Sequence, residues 1–523
     1  VKFEEITPDD VERVSAIYWN KEFSWDHRME QLKNYFGKSA RTVQKWLSKL
    51  GIKEKPDQES PQYAKAKERV FDQRKKRFII TWAQNDTPVH EPFFSNIEAY
   101  AKYINASVHV IAGRYKNPTS VFTDKQYETW EDRVQPYLDA NRHEIHKYMW
   151  IMSDIKIQPT AVNPMTGLQG MTGVNSCIFG SPKVQLEMIP VLENNVPKMM
   201  LTTGACTVNN YTDSKAGKKG EFHHTLGFCV VEIKDEETFF VRQVTATDEG
   251  NFSDLYFQTS YDPIEQTSSV SRLESVSACI LGDLHYGQHD PRVIKGTFNL
   301  FSKLHPENVV LHDVFDGLSI NHHEMNDPFV QFQREMDGSN SLRAEIDAML
   351  TGLEAFDDYN VTIVRSNHDD FLDRWLKNTD WRKASTLRNS IEYMEFAALL
   401  LKGMAPQGII PYLIKQKFPH FNTLGRSDSF VVNDWELGLH GDVGSNGSRG
   451  SLLQFRTLNR KLVVGHYHSP GRKDGALSVG TSTKLRVNYN VGPSSWLQSH
   501  VIIHLDGKAQ HINFIHGEFT TLR

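Results

Sequence analysis

The sequence predicts a multidomain α/β chain: a helical N-terminal domain, a middle α+β domain and a C-terminal domain whose strands end in metal-binding residue types. Three observations lead there. The chain has 523 residues, too many for one ordinary core at about 100–200 residues per domain. Apolar residues recur at helical spacing over the first fifty positions, then in short strand runs alternating with helices. Five apolar runs in the C-terminal half each close on His, Asp or Asn. The expected divisions are a helix-turn-helix-like domain at 1–55, a basic linker and helix at 56–77, a middle α/β to β-rich domain at 78–270, and the C-terminal domain at 271–523.

Composition removes several classes. With 39% hydrophobic residues and 10 Trp, 18 Tyr and 29 Phe, long disordered tracts are excluded. No apolar run reaches about 18 residues, so no membrane span is expected. The opening VKFEEITPDDVERV lacks a basic stretch followed by an apolar one, so no signal peptide is expected. The four cysteines, Cys177, Cys206, Cys229 and Cys279, form no CxxC pair, which argues against a disulfide framework or a zinc-thiolate site and fits a reducing cytoplasm. Net charge is −5, yet residues 33–77 carry fourteen Lys/Arg against five Asp/Glu. Such a basic segment suits a nucleic-acid-facing arm, with a solvated helical surface as the plain alternative.

Residues 7–52 read as three helices. The first starts near Pro8 and carries Val11, Val14, Ile17 and Tyr18. The second covers 26–36, with Met29, Leu32 and Phe36 on one face, and Gly37 breaks it. Ser39 then caps a third helix at 40–50, closed by Gly51. Helix, short Gly-containing turn, helix is the helix-turn-helix arrangement. Val43, Leu47 and Leu50 face inward, leaving Arg41, Gln44, Lys45 and Lys49 outward, types suited to phosphate and base-edge contacts. Trihelical bundles also serve as assembly caps, so dimerisation is the rival reading.

From 78 the pattern is strand (78–82), helix (93–104), strand (108–112), an α/β unit. A polar stretch from 117 to 148 reads as an exposed helix. Residues 155–245 alternate short β runs, notably 226–233 and 238–244, with Gly/Asn/Pro turns, and 163–175 reads as a surface loop. The Ser/Thr/Asp-rich 250–275 reads as an interdomain boundary.

The chemistry gathers after Val276. SACILGDLHYG presents Asp283 and His285 at a strand end; NVVLHDVFDG presents Asp313 and Asp316; NVTIVRSNHDD presents Asn367, His368 and Asp369. WELGLHGDVG ends in His440, and KLVVGHYHSPG in His466 and His468. In open α/β sheets ligands sit at the carboxyl ends of strands. Alternate residues leaving a strand point to one side, so Asp-x-His and His-x-His each aim both members at one cluster. Nitrogen and oxygen donors of this kind suit hard or borderline divalent cations. His322, His323 and Glu324 follow the second motif in a loop placed to face substrate, where a third-metal or phosphate contact is one reading and solvated loop residues the other. His504, His511 and His516 fall on a hairpin with an Asp-Gly turn and read as surface or core residues, not ligands.

This series resembles the calcineurin-like metallophosphoesterase superfamily over roughly 276–505. The resemblance implies a four-layer arrangement in which a two-sheet β-sandwich is flanked by helices, with a dinuclear metal centre. One cation would take Asp283, His285 and His468; the other Asn367, His440 and His466; Asp313 would bridge them. The cations expected are two divalent ions, Mn²⁺ first, with Mg²⁺, Fe²⁺ or Zn²⁺ also suited. His368 would protonate the leaving oxygen or steady the transition state. Asp369 would orient His368 or cap the helix that follows. Two departures stand out: His312 replaces the Gly usual before the bridging Asp, and Ser366 the Gly usual before Asn-His.

Within that superfamily, Asp-x-His-x-Gly (283–287), Asp-x-Phe-Asp (313–316) and Asn-His-Asp (367–369) are most similar to the Mre-type and SbcD-type DNA nucleases. Placing that domain last, behind a helix-turn-helix, resembles early proteins of tailed phages that degrade host DNA. The expected function is therefore a metal-dependent deoxyribonuclease, with DNA as partner, assembled as a homo-oligomer and working in the host bacterial cytoplasm. The rivals are a phosphatase or nucleotide phosphodiesterase with N-terminal assembly domains, and a metal-binding scaffold that only binds DNA.

Overall fold

Three amphipathic helices open the chain, each started by a hydroxyl side chain. The computed structural model describes residues 2–522 except 21, 53–59, 73, 118–119, 121–127, 193–196, 383 and 489. In it the helices span Pro8–Trp19, Trp25–Phe36 and Ala40–Lys49. Thr7, Ser24 and Ser39 accept from the backbone N–H groups of Asp10, His27 and Thr42, satisfying donors that a helix start leaves open. Gly37 closes the second helix at φ 62°, where a residue with a Cβ is disfavoured. Val14, Met29, Leu32, Phe36, Val43 and Leu47 pack into a core separate from the rest of the molecule. Arg41, Gln44, Lys45 and Lys49 are exposed on the third helix. Of the expected linker, residues 56–59 and 73 lie outside the described residues. The helix Pro61–Lys67 does not float: Tyr63 and Ala66 are buried in the main core.

The next region is a five-stranded mixed sheet in the order Phe239–Thr245, Gly227–Ile233, Arg77–Gln84, Ser107–Gly113, Leu138–Asp139. Arg77–Gln84 and Ser107–Gly113 pair in parallel, joined by the helix Glu91–Tyr103. Two expectations fail here. The stretch read as an exposed helix at 117–148 contains, in its described part, strands Leu138–Asp139 and Arg142–His146. The physical reason is Asp139: it is buried with its carboxylate 3.2 Å from His109 Nδ1 and 2.7 Å from His143 Nε2. Polarity there marks a buried hydrogen-bond network around one carboxylate, not a solvated helix face. Likewise 250–275 is no linker but an antiparallel meander, Phe252–Asp254, Phe257–Asp262 and Thr267–Arg272. Asp254 within it pairs with buried Arg242, which also pairs with Glu232.

Two larger sheets complete the molecule. Six strands run in the order Asn422–Thr423, Val361–Val364, Val309–His312, Ala278–Ile280, Ser499–Ile503, Ala509–Asn513, the first four mutually parallel. Ten strands run in the order Val431–Val432, Trp435–Glu436, Leu462–Val464, Ala476–Ser478, Gly471–Lys473, Gln185–Ile189, Lys198–Thr202, Ser176–Phe179, Met149–Met152, Arg142–His146. The expected division at 270/271 does not separate the sheets. Arg472 pairs with Leu186 and Lys473 with Gln185, so one sheet carries strands from both sides of it. Ala278, Ile280, Val310 and Val364 of the six-stranded sheet pack on Trp435, Val463 and Leu477 of the ten-stranded one. The chain is thus a multidomain α/β protein with several mixed sheets. Among the described residues no helix is long and apolar enough to cross a membrane.

Candidate metal centre

The two packed sheets bring strand ends together. Asp283 and His285 follow Ala278–Ile280, Asp313 follows Val309–His312, and Asn367 follows Val361–Val364: three neighbouring parallel strands. His440 follows Trp435–Glu436 and His466 follows Leu462–Val464, which pair in parallel in the other sheet. Ligand atoms of Asp283, His285, Asp313 and His468 all lie within 4.8 Å of one another, and all four residues are buried. His285 Nε2 is 3.1 Å from His468 Nε2 and 3.3 Å from Asp313 Oδ2; His468 Nε2 is 3.1 Å from Asp283 Oδ2; His440 Nε2 is 3.1 Å from Asp313 Oδ2.

The backbone bends sharply to achieve this. His285, Asp313, His466 and His468 have φ of 42°, 46°, 75° and 54°. Each such non-glycine residue costs about 1–3 kcal/mol, strain that persists where the surroundings over-determine it. Gly465 is needed for closeness: a Cβ there would sit 2.4 Å from Asp283 Oδ1. The His466 N–H donates to Asp283 Oδ2 at 2.7 Å, fixing that carboxylate.

Electrostatics favour a cation. Burial opposes charge on His285, yet the Asp313 and Asp316 carboxylates outweigh it and raise its pKa well above the ordinary value. The same contest, won by Asp313, brings His440 up to about 9. Burial likewise opposes charge on Asp313, but His440, His368 and His285 hold its pKa well below the usual range. Asp283 Oδ1, Asp313 Oδ1 and Asn367 Oδ1 are buried with no hydrogen-bond partner among the described residues. Buried acceptors left unpaired cost about 1–3 kcal/mol each, and more when charged. Of these, the Asp283 and Asp313 carboxylates lie beside imidazole nitrogens, a donor set that fits a divalent ion. This group of Asp and His residues could hold one.

The second layer holds roles that sequence reasoning missed. Asp316 Oδ1 lies 3.0 Å from His285 Nδ1, fixing the tautomer that leaves Nε2 towards the cluster. Its own backbone carbonyl accepts from His368 Nδ1 at 2.6 Å. The Asp313/Asp316 spacing shows the pair; it does not distinguish ligand from supporter. His312 is fully buried with its Nδ1 3.5 Å from His440 Nδ1. Glu345, half-buried, accepts from the N–H groups of Leu318 and Ser319, and desolvation, with the Asp316 charge, takes its pKa up to about 7.

Other expected residues fall differently. Asp369 does not hydrogen-bond His368. Its carboxylate accepts from the Ser366 N–H at 3.0 Å, and burial raises its pKa to about 7. It begins the helix Asp369–Asn378, one residue earlier than a cap for 370–377 requires. His322 and His323 are exposed; His322 meets the Phe371 ring, which in turn packs on His368. His504 and His511 are buried, His511 Nε2 bonding the Ser478 carbonyl at 2.9 Å, and His516 is exposed.

Comparison with known proteins supplies the kinship. Over 474 residues, 85% of this chain and 83% of the other, the sequence is 30% identical to "Protein A1" of Escherichia phage T5. The chain belongs to the family of that phage protein. A match of that length cannot fit within 271–523, so the kinship with Protein A1 takes in part of the N-terminal half as well. No family model matches the chain. One crystal structure matches 46% of this chain and 98% of its own, at 8% identity and a TM-score of 0.24, too weak a likeness to carry an argument.

Proposed function

We propose that the protein is a metal-dependent deoxyribonuclease of the metallophosphoesterase type, hydrolysing phosphodiester bonds at a dinuclear, manganese-preferring centre. The observation that carries this reading is the convergence of the strand-end residues Asp283, His285, Asp313 and His468, with the Asp283 and Asp313 carboxylates each keeping one buried oxygen unpaired. Asp283, His285 and His468 would hold one ion, Asn367, His440 and His466 the other, with Asp313 serving both. Bound there, the ions supply Lewis-acid stabilisation of charge on the phosphoryl oxygens and acidify water for attack.

The chain's own residues do the rest. Asp316 orients His285 through its carboxylate, and Glu345 holds the loop beneath it. Burial favours the neutral form of His368, and the Asp313 and Asp316 charges, with the Asp316 carbonyl at Nδ1, partly offset this. When protonated, the ring gives its Nε2 proton to the leaving oxygen. His322 and His323 would meet the departing strand. The exposed row Arg41, Gln44, Lys45 and Lys49 would read DNA in helix-turn-helix fashion, supported by its place opposite the buried Val43 and Leu47. Kinship with a phage protein favours action on host DNA in the bacterial cytoplasm. The exposed stripe Phe329, Phe332 and Met336 on the helix Pro328–Asp337 favours a homo-oligomer.

The test is incubation of purified protein with plasmid, linear duplex, single strand and bis-p-nitrophenyl phosphate, in Mn²⁺, Mg²⁺ or EDTA. DNA cleavage with Mn²⁺ and none with EDTA is expected. With p-nitrophenyl phosphate as an added monoester substrate, intact DNA alongside its rapid hydrolysis would establish a phosphatase instead.

A further inference from the structure

The geometry points to a second binding site, in which a basic cleft takes a nucleotide unit with its phosphate on cationic side chains and its base against Phe222. The cleft measures about 590 Å³, inside the range of small-ligand pockets. Lys183, Lys219, Arg456, Arg460, Lys461 and Arg472 line it, against Asp474 as the lone lining carboxylate among the described residues. In a chain of net charge −5, this concentration runs against the overall sign.

Asp474 cannot neutralise its neighbours. Its carboxylate meets Lys183 Nζ at 2.7 Å, His223 Nδ1 at 3.1 Å and Arg456 Nε at 3.7 Å, gathering these groups and leaving most of the positive charge uncompensated. Lys183 is 2% exposed and also donates to the Val162 carbonyl at 2.7 Å. Arg472 Nε is buried with no partner among the described residues, and its Nη1 reaches the Ala509 carbonyl only at 3.5 Å. A guanidinium held this way is short of an anion, and phosphate matches its fork. Phe222, in the last turn of the helix Lys215–His223, is 73% exposed. An exposed aromatic ring beside a cationic groove is how strand-binding proteins stack a base without sequence preference.

The cleft is distinct from the metal cluster. Lys461 precedes and His466 follows the strand Leu462–Val464, so the two sites flank opposite ends of one strand. Along extended backbone that is about 17 Å at most. The inference does not depend on hydrolysis at the metal cluster. The shared chemistry, phosphate plus accessible base, is met by a free nucleotide or by an unpaired nucleotide in a strand.

Binding of a labelled short oligothymidylate to the full chain in EDTA, across several salt concentrations, tests this. Thymidine monophosphate and a duplex serve as competitors. The triple variant Lys219→Glu, Arg460→Glu, Lys461→Glu is expected to weaken binding about ten-fold or more, flattening the log–log salt slope by about 0.7 for each phosphate it ceases to neutralise. Phe222→Ala, which alters no charge, is expected to weaken it about five-fold or more. Hydrolysis of bis-p-nitrophenyl phosphate should stay unchanged in both. Lys102→Glu, Lys295→Glu, Lys402→Glu matches the charge change on exposed lysines elsewhere. Competition by the mononucleotide that is lost in Phe222→Ala assigns a nucleotide pocket; oligonucleotide binding without such competition assigns a strand path. Equal weakening by the control triple, or unchanged binding in Phe222→Ala, overturns the site. Should the cleft triple also lower bis-ester hydrolysis, Phe222→Ala alone decides.

Discussion

Asp316 reaches two histidines through different atoms, its carboxylate to His285 Nδ1 and its carbonyl to His368 Nδ1. Substitution by Asn removes the first interaction's charge and keeps the second. Asp316→Asn should therefore weaken Mn²⁺ affinity about 10–100-fold, measured by calorimetric titration, with the rate at saturating metal largely retained. Equal affinity would deny Asp316 any supporting part. Asp313→Asn should abolish hydrolysis and lower metal content by elemental analysis, since one carboxylate meets both His285 and His440; full activity would sink the dinuclear reading. His368→Asn should leave metal bound and cost about 10²–10⁴ in rate, less with a p-nitrophenolate leaving group that needs no proton. Equal slowing on both substrates would point to charge stabilisation. The strand-end residues were legible because their types recur after apolar runs. Asp316's double role was not, because it depends on how the loop turns between Asp313 at φ 46° and Gly317 at φ 74°.

At the scale of elements, helices with hydroxyl caps and a glycine stop were legible to within a residue or two, as with Ser39 and Gly37. The stretch 128–148 was not, because Asp139 and His143 look like solvated polar residues until a partner strand supplies His109. Gly465 is where one element constrains another. In Gly465→Ala the new methyl would press on Asp283 Oδ1 and on His312 Cγ at 2.9 Å, just beyond a strand paired on both sides. A loss of about 1–3 kcal/mol in denaturant unfolding, with reduced Mn²⁺ content, is expected; wild-type metal content would show that the strand end yields. For the third helix, joint replacement of Arg41, Lys45 and Lys49 by Ala should weaken duplex binding and flatten its salt slope by about 0.9 for each phosphate no longer neutralised. Unchanged slope with altered oligomer size would make the helices an assembly element.

Across the whole molecule, neutral histidines are built into the interior, as His500 and His511 are, or half-buried at its edge, as His224 is. Burial takes His224 and His511 down to about 4 and His500 to about 3. His224 and His500 use both ring nitrogens as neutral rings. His500 Nδ1 accepts from the Gly282 N–H at 3.0 Å while Nε2 meets Thr297 Oγ1 at 2.8 Å, and His224 Nδ1 and Nε2 meet Tyr211 Oη and the Thr207 carbonyl. Unfolded, these rings titrate near 6.5, so below that pH the unfolded chain binds more protons. Their stabilisation is complete above about pH 6.5 and is lost as pH falls towards 4, by about 1.4 kcal/mol per unit for each ring. Glu345 and Asp369, their pKa raised to about 7, act with the opposite sign in this window, so the test is differential. Denaturant midpoints should fall less between pH 6.5 and 4.5 in His500→Asn than in the unsubstituted protein; identical profiles would refute the neutral-core account.

The ten-stranded sheet also sets a clock. Gln185–Ile189 waits for partners on Gly471–Lys473, a pairing that joins residues as far apart as Glu187 and Lys473, 286 positions along the chain. At about 5–20 residues per second, a growing chain leaves that edge bare for about 15–60 s. His466 and His468 emerge from the ribosome only a few residues before the strand that covers the edge. Closure of the sheet and gathering of the candidate metal ligands therefore fall at the same moment of synthesis, so the cluster cannot form until nearly all of the chain has been made.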